Sequence, residues 1–184
     1  MATEERLAAV LDVAAYVLAR KGPRTAMQLQ KLVFYAQAWS LVWHGRPLFA
    51  DPIEAWDQGP VVPTLFDSHR GQYVVVSLPR GDAARIDGNA ADTIDAVLEQ
   101  YGNAGGDELG LLTHAEQPWL TTRRNGVITL ECMRAYYVRE GLDAARAIGP
   151  LADRFYAQHL ACAITAANRH PEAVWGPPVG REVL

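Results

Sequence analysis

The sequence predicts a mainly α-helical, compact domain with a small antiparallel β-sheet, followed by a helical C-terminal extension. Apolar residues recur at helical spacing in several separate stretches of the chain. By contrast, residues 73–78 are the one stretch whose β-branched content is typical of a strand. The 184 residues are 49% hydrophobic and 21% charged, which is the balance of a globular chain with its own core.

The first helix is predicted over residues 4–21. Its apolar residues follow the helical spacing at Leu7, Val10, Leu11, Ala14, Val17 and Leu18. Thr3 is placed to cap its start, and Gly22 followed by Pro23 is expected to end it.

The second helix is predicted to begin at Thr25, which forms a capping-box pattern with Gln28, and to continue to about residue 43. Its two apolar faces consist of Leu29, Leu32, Val33, Ala36 and Trp43, and of Phe34, Tyr35, Ala38, Leu41 and Val42. A helix with two apolar faces needs cover on both, so we expect it at the centre of the fold. Its only cation is Lys31, whose ammonium group should reach solvent or pair with Glu54.

The sheet is predicted from two extended segments. Residues 53–56 alternate between apolar and polar side chains, and we expect them to pair with residues 73–78 in antiparallel fashion. A single helical turn is expected between them, over residues 63–67. Two strands alone are marginally stable, so we expect this sheet to pack against the helices.

Three further helices are predicted over residues 91–101, 107–112 and 129–140. Their inward residues should be Ile94, Val97, Leu98 and Tyr101 in the first of them and Leu130, Met133, Tyr136 and Tyr137 in the last. Val127 and Ile128 should be extended, and Thr129 should cap the last helix.

Gly141 is expected to end that helix and the domain, which gives a domain of residues 1–140 and an extension of residues 141–184. In the extension, helices are predicted over residues 143–148 and 150–170, followed by an irregular tail over residues 171–184.

The composition excludes some classes of protein. A formal net charge of -4 argues against a surface dominated by phosphate contacts. No apolar run approaches the ~18 residues of a membrane-spanning helix, and the first residues lack the apolar core of a secretion signal, so we expect a cytoplasmic protein. Cys132 and Cys162 form no Cys-x-x-Cys pair, and we expect free thiols with no bound metal or cofactor.

The candidate partner-binding residues lie around a Gly-Pro turn and comprise Glu54, Trp56, Asp57, Gln58 and Pro60. A Trp on a rigid loop is a common anchor at protein interfaces. For Trp56 itself, burial between the sheet and the helices is favoured over contact, because large aromatic side chains usually serve the core. Packing explains Asp57 and Gln58 less readily, so partner contact and a structural role stay equally open for them.

Catalysis and DNA binding are the alternatives from other classes. His114 lies near Glu116 and Asp107, a pattern that an acid–base enzyme would use, but a structural role for Thr113 or His114 against a loop is favoured. Arg123 and Arg124 are weak support for an operator-binding regulator in an acidic chain, and a solvated turn is favoured. We assign no catalytic residue and no metal ligand.

Several segments together resemble the Panacea antitoxin domain, also called SocA-like. They are the run from Met27 to Trp39, Gly45 with Pro47-Leu48, Glu54-Ala55-Trp56, Gly59-Pro60-Val61, Leu112-Thr113-His114 and Pro118-Trp119. The resemblance covers roughly residues 7–137. The glycine-rich break at residues 102–106 departs from the family's more polar turn, and the chain continues beyond the family's domain.

This resemblance implies an antitoxin that neutralises a cognate toxin by direct protein–protein contact, without a cofactor. Family members also act as adaptors that deliver a toxin to an AAA+ protease, and others are phage-associated. For an adaptor, the candidate protease contact is the tail with Trp175 and Val183-Leu184. Structural roles are assigned to Lys31, Tyr35, Trp39, Thr113, His114 and Trp119.

Overall fold

The computed structural model describes the backbone of residues 7–146 and the side chains of residues 7–141. Within them the chain is mainly α-helical with small antiparallel sheets, which confirms the predicted fold class. Thr3, Cys162, the helix predicted over residues 150–170 and the tail over residues 171–184 lie outside the described residues.

The central element is helix α2, Ala26–Trp43. Thr25 begins it with the predicted capping box: the backbone N–H of Gln28 donates to Thr25 Oγ1 at 3.1 Å, and the N–H of Thr25 donates to Gln28 Oε1 at 3.1 Å. Four other helices pack around α2 and bury most of both apolar faces, as predicted: α1 (Val10–Lys21), α4 (Gly88–Tyr101), α5 (Gly106–Ala115) and α7 (Leu130–Arg146). The exceptions lie in the last turn, where Val42 is half-buried and Trp43 is 49% exposed.

Helix α1 spans Val10–Lys21 and therefore begins later than predicted. Residues 7–9 do not join it, because the N–H of Ala8 donates to the carbonyl oxygen of Leu48 at 2.9 Å in a parallel bridge beside Phe49. This tertiary hydrogen bond holds the chain extended where the helical spacing alone favours a helix. The helix ends at Gly22, whose φ is 75°.

The predicted strand pairing is wrong. Strand β2 (Glu54–Trp56) pairs with β3 (Gly59–Val61) in a hairpin, with Ala55 opposite Pro60. Strand β4 is limited to Val74–Val75 and pairs with β1 (Arg24–Thr25), directly before α2. Helix α3, Pro63–His69, follows the hairpin and is longer than the single turn expected.

The second half of the chain adds four helices within residues 7–146. They are α4 (Gly88–Tyr101), α5 (Gly106–Ala115), α6 (Gln117–Leu120) and α7 (Leu130–Arg146). A short 3-10 turn, Ala83–Arg85, precedes α4. The inward residues predicted for α4 are buried, as are Met133, Tyr136 and Tyr137 of α7, whereas Leu130 is 38% exposed because it begins its helix at the surface.

Helix α7 also continues past its predicted end at Gly141. A Cβ atom at this glycine would lie at an ordinary contact distance of 3.4 Å from the ring of Trp39, so α7 packs beside α2 here without requiring a glycine. The first residues of the helix predicted over 143–148 therefore belong to α7. The predicted division between domain and extension stays a prediction.

Glutamine side chains of α2 hold the long connection that follows it. The Oε1 atom of Gln37 accepts from the backbone N–H groups of Leu48 (2.7 Å) and Phe49 (3.1 Å). The Oε1 atom of Gln30 accepts from the N–H of Val62 at 2.9 Å. Both glutamines are buried, and together they fix the chain on either side of the hairpin.

Candidate functional site

The Gly-Pro turn predicted as the candidate site is the β2–β3 hairpin, whose Asp57-Gln58 turn joins the strands. Gly59 follows the turn with a φ of 97°, a conformation that favours glycine. A Cβ atom at Gly59 would lie 2.8 Å from Thr113 Oγ1 and 2.9 Å from Lys31 Cε. The hairpin backbone therefore lies directly against α2 and α5.

The hairpin buries most of the residues predicted to contact a partner. Trp56 is 5% exposed, Asp57 is 8% exposed and Pro60 is buried, while Glu54 and Gln58 are half-buried. Burial of Trp56 agrees with the packing interpretation that was favoured for it. Partner contact at these five residues stays a prediction.

Trp56 is held by hydrogen bonds at its indole N–H and at its backbone carbonyl oxygen. Its indole N–H donates to Glu54 Oε2 at 2.7 Å, and its carbonyl oxygen accepts from the indole N–H of Trp119 at 2.8 Å. Its ring packs edge-on against Phe66, with 5.0 Å between ring centroids. The two indoles thus tie the hairpin to α3 and α6.

The turn is also fixed from the loop that precedes α7. Asp57 accepts a hydrogen bond from the guanidinium of Arg124 in an ion pair, which is a role that sequence reasoning did not assign to this arginine. The N–H of Asn125 donates to the carbonyl oxygen of Ala55 at 2.8 Å, and the N–H of Ala55 donates to that of Gly126 at 2.9 Å. This loop therefore extends the hairpin, and the expected extended backbone at Val127 is confirmed by its bridge to Glu54.

Lys31 neither reaches solvent nor pairs with Glu54, so both expectations for it are wrong. It is 0% exposed, and its Nζ atom donates to the carbonyl oxygen of Pro60 at 3.0 Å. Burial lowers the pKa of Lys31 to about 7. Lys31 therefore supports the hairpin by a hydrogen bond to its backbone.

Below the hairpin, Glu116 accepts hydrogen bonds from two tyrosines. The hydroxyl of Tyr35 donates to Oε1 at 3.1 Å, and that of Tyr137 donates to Oε2. Burial raises the pKa of Glu116 to about 8, although both hydroxyl groups oppose this shift. Tyr101 stacks on Tyr35 with 4.2 Å between ring centroids, so four helical segments meet at one buried carboxyl group.

Sequence reasoning missed this role of Glu116. The available signal was an acidic residue directly before Gln117-Pro118 in a chain whose buried helices carry several tyrosines. Such tyrosines need an acceptor when they are buried. Tyr35 takes part in this arrangement, and the ring of Trp39 packs against Trp43 at 5.3 Å and Tyr137 at 5.8 Å; the structural roles assigned to both stay predictions.

The residues considered for catalysis do not form an accessible pair. His114 is 4% exposed and its ring packs on Trp119, with 4.2 Å between centroids. Glu116 is 3% exposed and bonds the tyrosines. Thr113 Oγ1 donates to backbone carbonyl oxygens of its own helix, to Leu109 at 3.1 Å and Gly110 at 3.0 Å, and not to a loop.

A cleft of about 590 Å³ lies elsewhere, between the first turns of α1 and α4. Its polar lining includes Asp12, Ser40, His44, Arg46 and Arg85, and it contains none of the predicted site residues. No group of three or more His, Cys, Asp or Glu side chains among residues 7–141 is arranged to hold a metal ion. No helix within residues 7–146 is long and apolar enough to cross a membrane.

Comparison with known proteins settles the family. The family model described as "Antitoxin SocA-like, Panacea domain" matches residues 29–120. This chain belongs to the SocA-like Panacea family. The predicted resemblance is thereby confirmed, and the matched SocA-like region contains α2 from Leu29 onward, the hairpin, β4 and the helices through α6.

A relative with a known role supports the same assignment. The chain is 30% identical over 116 residues to Antitoxin SocA of Caulobacter vibrioides (strain NA1000 / CB15N). That alignment covers 53% of this chain and 58% of the relative, so it leaves more than a third of the relative unmatched. No solved structure matches this SocA-like chain.

Proposed function

We propose that this protein is the antitoxin of a toxin–antitoxin pair and neutralises its toxin by direct, stoichiometric binding. The observation that carries this proposal is membership of the SocA-like family, together with 30% identity to a protein named Antitoxin SocA. An antitoxin family implies a toxin as partner. The matched region, residues 29–120, lies within the described helical domain, and we propose that the binding function lies there.

Burial supports binding over catalysis. The side chains weighed for acid–base chemistry, His114 and Glu116, are both buried and engaged with aromatic groups. A binding protein needs a few anchors on a rigid surface and no reactive pair. In our proposal Glu54, Asp57 and Gln58 contribute to that surface, while Trp56 and Pro60 fix the position of the turn.

The test begins with the reading frames beside this gene. Each is expressed alone in a host, and any product that stops growth is then co-expressed with this chain. We expect one such product to be neutralised and to form a complex with this chain at equal stoichiometry in light scattering. If no neighbouring product is both toxic and neutralised by this chain, the proposal is wrong.

The same assay separates occlusion from delivery to a protease. Neutralisation should persist in a host that lacks its AAA+ proteases and in a variant truncated after residue 170. Loss of neutralisation in that host would instead favour the adaptor mechanism. A gel shift on the upstream promoter across salt concentrations tests operator binding, which we do not expect for an acidic chain.

Contact at the turn is tested by Gln58→Arg, which adds bulk and charge at a half-buried position. We expect weaker neutralisation with an unchanged melting temperature. Arg123→Ala is the matched control, because Arg123 is exposed in the loop beside the hairpin and outside the proposed surface. Equal neutralisation by both variants would exclude Gln58 from the interface.

A further inference from the structure

The two most exposed large apolar side chains among residues 7–141 lie beside strand β4. Tyr73 is 82% exposed and Val76 is 66% exposed, and Val74 between them is 46% exposed. Contiguous apolar exposure of this kind marks interaction sites more often than single surface residues do. Neither the β2–β3 hairpin nor the tyrosines around Glu116 explain this exposure.

Strand β4 has hydrogen-bonding groups that face away from its partner strand. It pairs on one side with β1, where the N–H of Ala26 donates to the carbonyl oxygen of Tyr73 at 2.9 Å and Val75 lies opposite Arg24. In an antiparallel pair, alternate residues direct their N–H and C=O groups to opposite edges. Val74 therefore presents its groups to the outer edge, where no further strand of residues 7–146 pairs, and continuing this alternation one step past the end of β4 places those of Val76 on the same edge.

This edge is held firmly by the core. Val75 is 0% exposed and Leu78 is 5% exposed, so the inward side chains of the segment anchor it. On the other side, β1 leads directly into the capping box of α2. An edge fixed in this way loses little conformational entropy when another strand is added.

The sequence immediately around the edge is basic. No acidic residue occurs over residues 68–81, whereas Arg70 and Arg80 flank the strand. Arg70 is bonded to Asp67 at 2.7 Å, while Arg80 is exposed beyond the strand. These charges complement an acidic segment.

The same charges disfavour a second copy of this chain as the occupant. Antiparallel self-pairing through the outer groups would place Val74 of one copy opposite Val76 of the other. It would then bring Arg70 of one copy towards Arg80 of the other, at both ends of the contact. Like charges opposite each other destabilise strand pairs, and arginines of this kind protect an edge from self-association.

We propose that β4 is a docking edge, to which an extended, acidic segment of the partner protein adds as a third strand. The main chain of Val74 and Val76 supplies the hydrogen bonds, Tyr73 and the two valines supply apolar contact, and Arg80 selects for acidic side chains. The identity of the partner as a toxin rests on the proposed function; the docking edge does not.

Short peptides serve as the probe, with amide NMR of the full-length chain as the readout. An acetylated peptide of alternating glutamate and valine should shift the amide signals of Val74 and Val76 most strongly. A lysine–valine peptide should bind at least about tenfold more weakly because of the arginines. The glutamate–valine peptide with N-methyl groups on alternate residues keeps its charge but cannot pair, and should lose about tenfold or more in affinity.

Two protein variants complete the test. Arg80→Glu should weaken binding of the acidic peptide several-fold and leave the melting temperature unchanged. Val76→Pro removes one outward N–H and should abolish binding, while Val76→Ile keeps that N–H and should retain it. If Val76→Pro fails to fold, the N-methylated peptide still decides the point, because it leaves the protein unaltered.

Several results would overturn the proposal. They are equal binding of the N-methylated peptide, shifts centred away from residues 73–77, no binding of the acidic peptide, or a concentration-dependent dimer that pairs through β4. A chain that neutralises a toxin but fails these tests leaves the proposed function intact. A chain that binds the acidic peptide but neutralises no neighbouring product overturns the proposed function and keeps the docking edge.

Discussion

The two small sheets of this protein are alike in size and opposite in exposure. The β2–β3 hairpin is covered on several sides, by Lys31 from α2, Phe66 from α3, Trp119 from α6 and the loop that carries Arg124. The β1–β4 pair has one covered face and one open edge. Residues 73–76 are more apolar than the hairpin turn, yet they are the more exposed of the two.

This difference separates two tasks. The hairpin contains charged and polar side chains that are satisfied inside the protein, which is typical of a segment that specifies the fold. The segment around β4 exposes Tyr73, Val74 and Val76 to water, which is typical of a binding surface, while Val75 anchors it in the core. Changes at the buried groups of the hairpin should therefore act on stability, whereas changes at its half-buried turn residue Gln58 and on the β4 edge should act on binding.

The largest effect is expected from the carboxyl group below the hairpin. Folding raises the pKa of Glu116 from 4.5 to about 8, so the folded state binds more protons between these values. The contribution of Glu116 to the free energy of unfolding should therefore be highest below pH 4.5. It should fall as the pH rises to 8, by an amount on the order of 4 kcal/mol.

Glu116→Gln keeps an acceptor for one tyrosine hydroxyl and does not ionise. Denaturant unfolding between pH 5 and pH 8 should show this fall in the wild type and a flatter profile in the variant. Equal slopes would mean that Glu116 is not the group that titrates.

At higher pH, the contribution of Lys31 to the free energy of unfolding should change with pH in the opposite direction. Its folded pKa lies near 7, below its usual value of 10.5, so the unfolded state binds more protons between these values. Stability should rise with pH over that window by a few kcal/mol, and Lys31→Met should remove the rise. At pH 6 the variant should be at least as stable as the wild type, because burial of a charge is costly. A large loss at pH 6 would contradict this account.

Gly59→Ala tests the close approach of the hairpin to α2 and α5. The added Cβ would meet Thr113 and Lys31 at a φ of 97°, so we expect a loss of about 3 kcal/mol in unfolding free energy. Gly71→Ala, in the turn before β4, is the matched control. Its φ is 80°, but nothing lies within 4 Å, so a cost of about 1 kcal/mol is expected. Similar costs at both glycines would remove the contrast between the two sheets.

Trp119→Phe tests the indole hydrogen bond that holds the hairpin. The variant leaves the carbonyl oxygen of Trp56 without this donor, and should cost about 1 to 2 kcal/mol in denaturant unfolding. Trp43→Phe is the comparison, since Trp43 is 49% exposed and lies in the last turn of α2. It should cost less, and a larger cost at Trp43 would argue against the hydrogen bond as the cause.

The smallest effect on stability is expected at the β4 edge. Val76→Thr changes a side chain that is 66% exposed, so the free energy of unfolding should stay within about 0.5 kcal/mol of the wild type. A loss of more than about 1 kcal/mol would show that Val76 is part of the core. The β4 edge would then contribute to stability as the hairpin does.

Some of this architecture follows from the sequence by itself. The capping box at Thr25, the two-faced burial of α2 and the inward residues of α4 depend on interactions within a few residues, and periodicity and capping chemistry report these directly. The family was also accessible, because its segments keep their order along the chain.

Tertiary structure decided the rest. Strand pairing joins distant segments, and neither the hairpin partner of β2 nor the pairing of β4 with β1 is encoded in the alternation of one strand. The same holds for the late start of α1, the burial of Lys31, and the tyrosines around Glu116, which lie 81 and 21 residues from it in the chain. The physical reason is that a side chain's exposure depends on which distant elements pack against it, whereas helix formation and capping depend on neighbours in sequence.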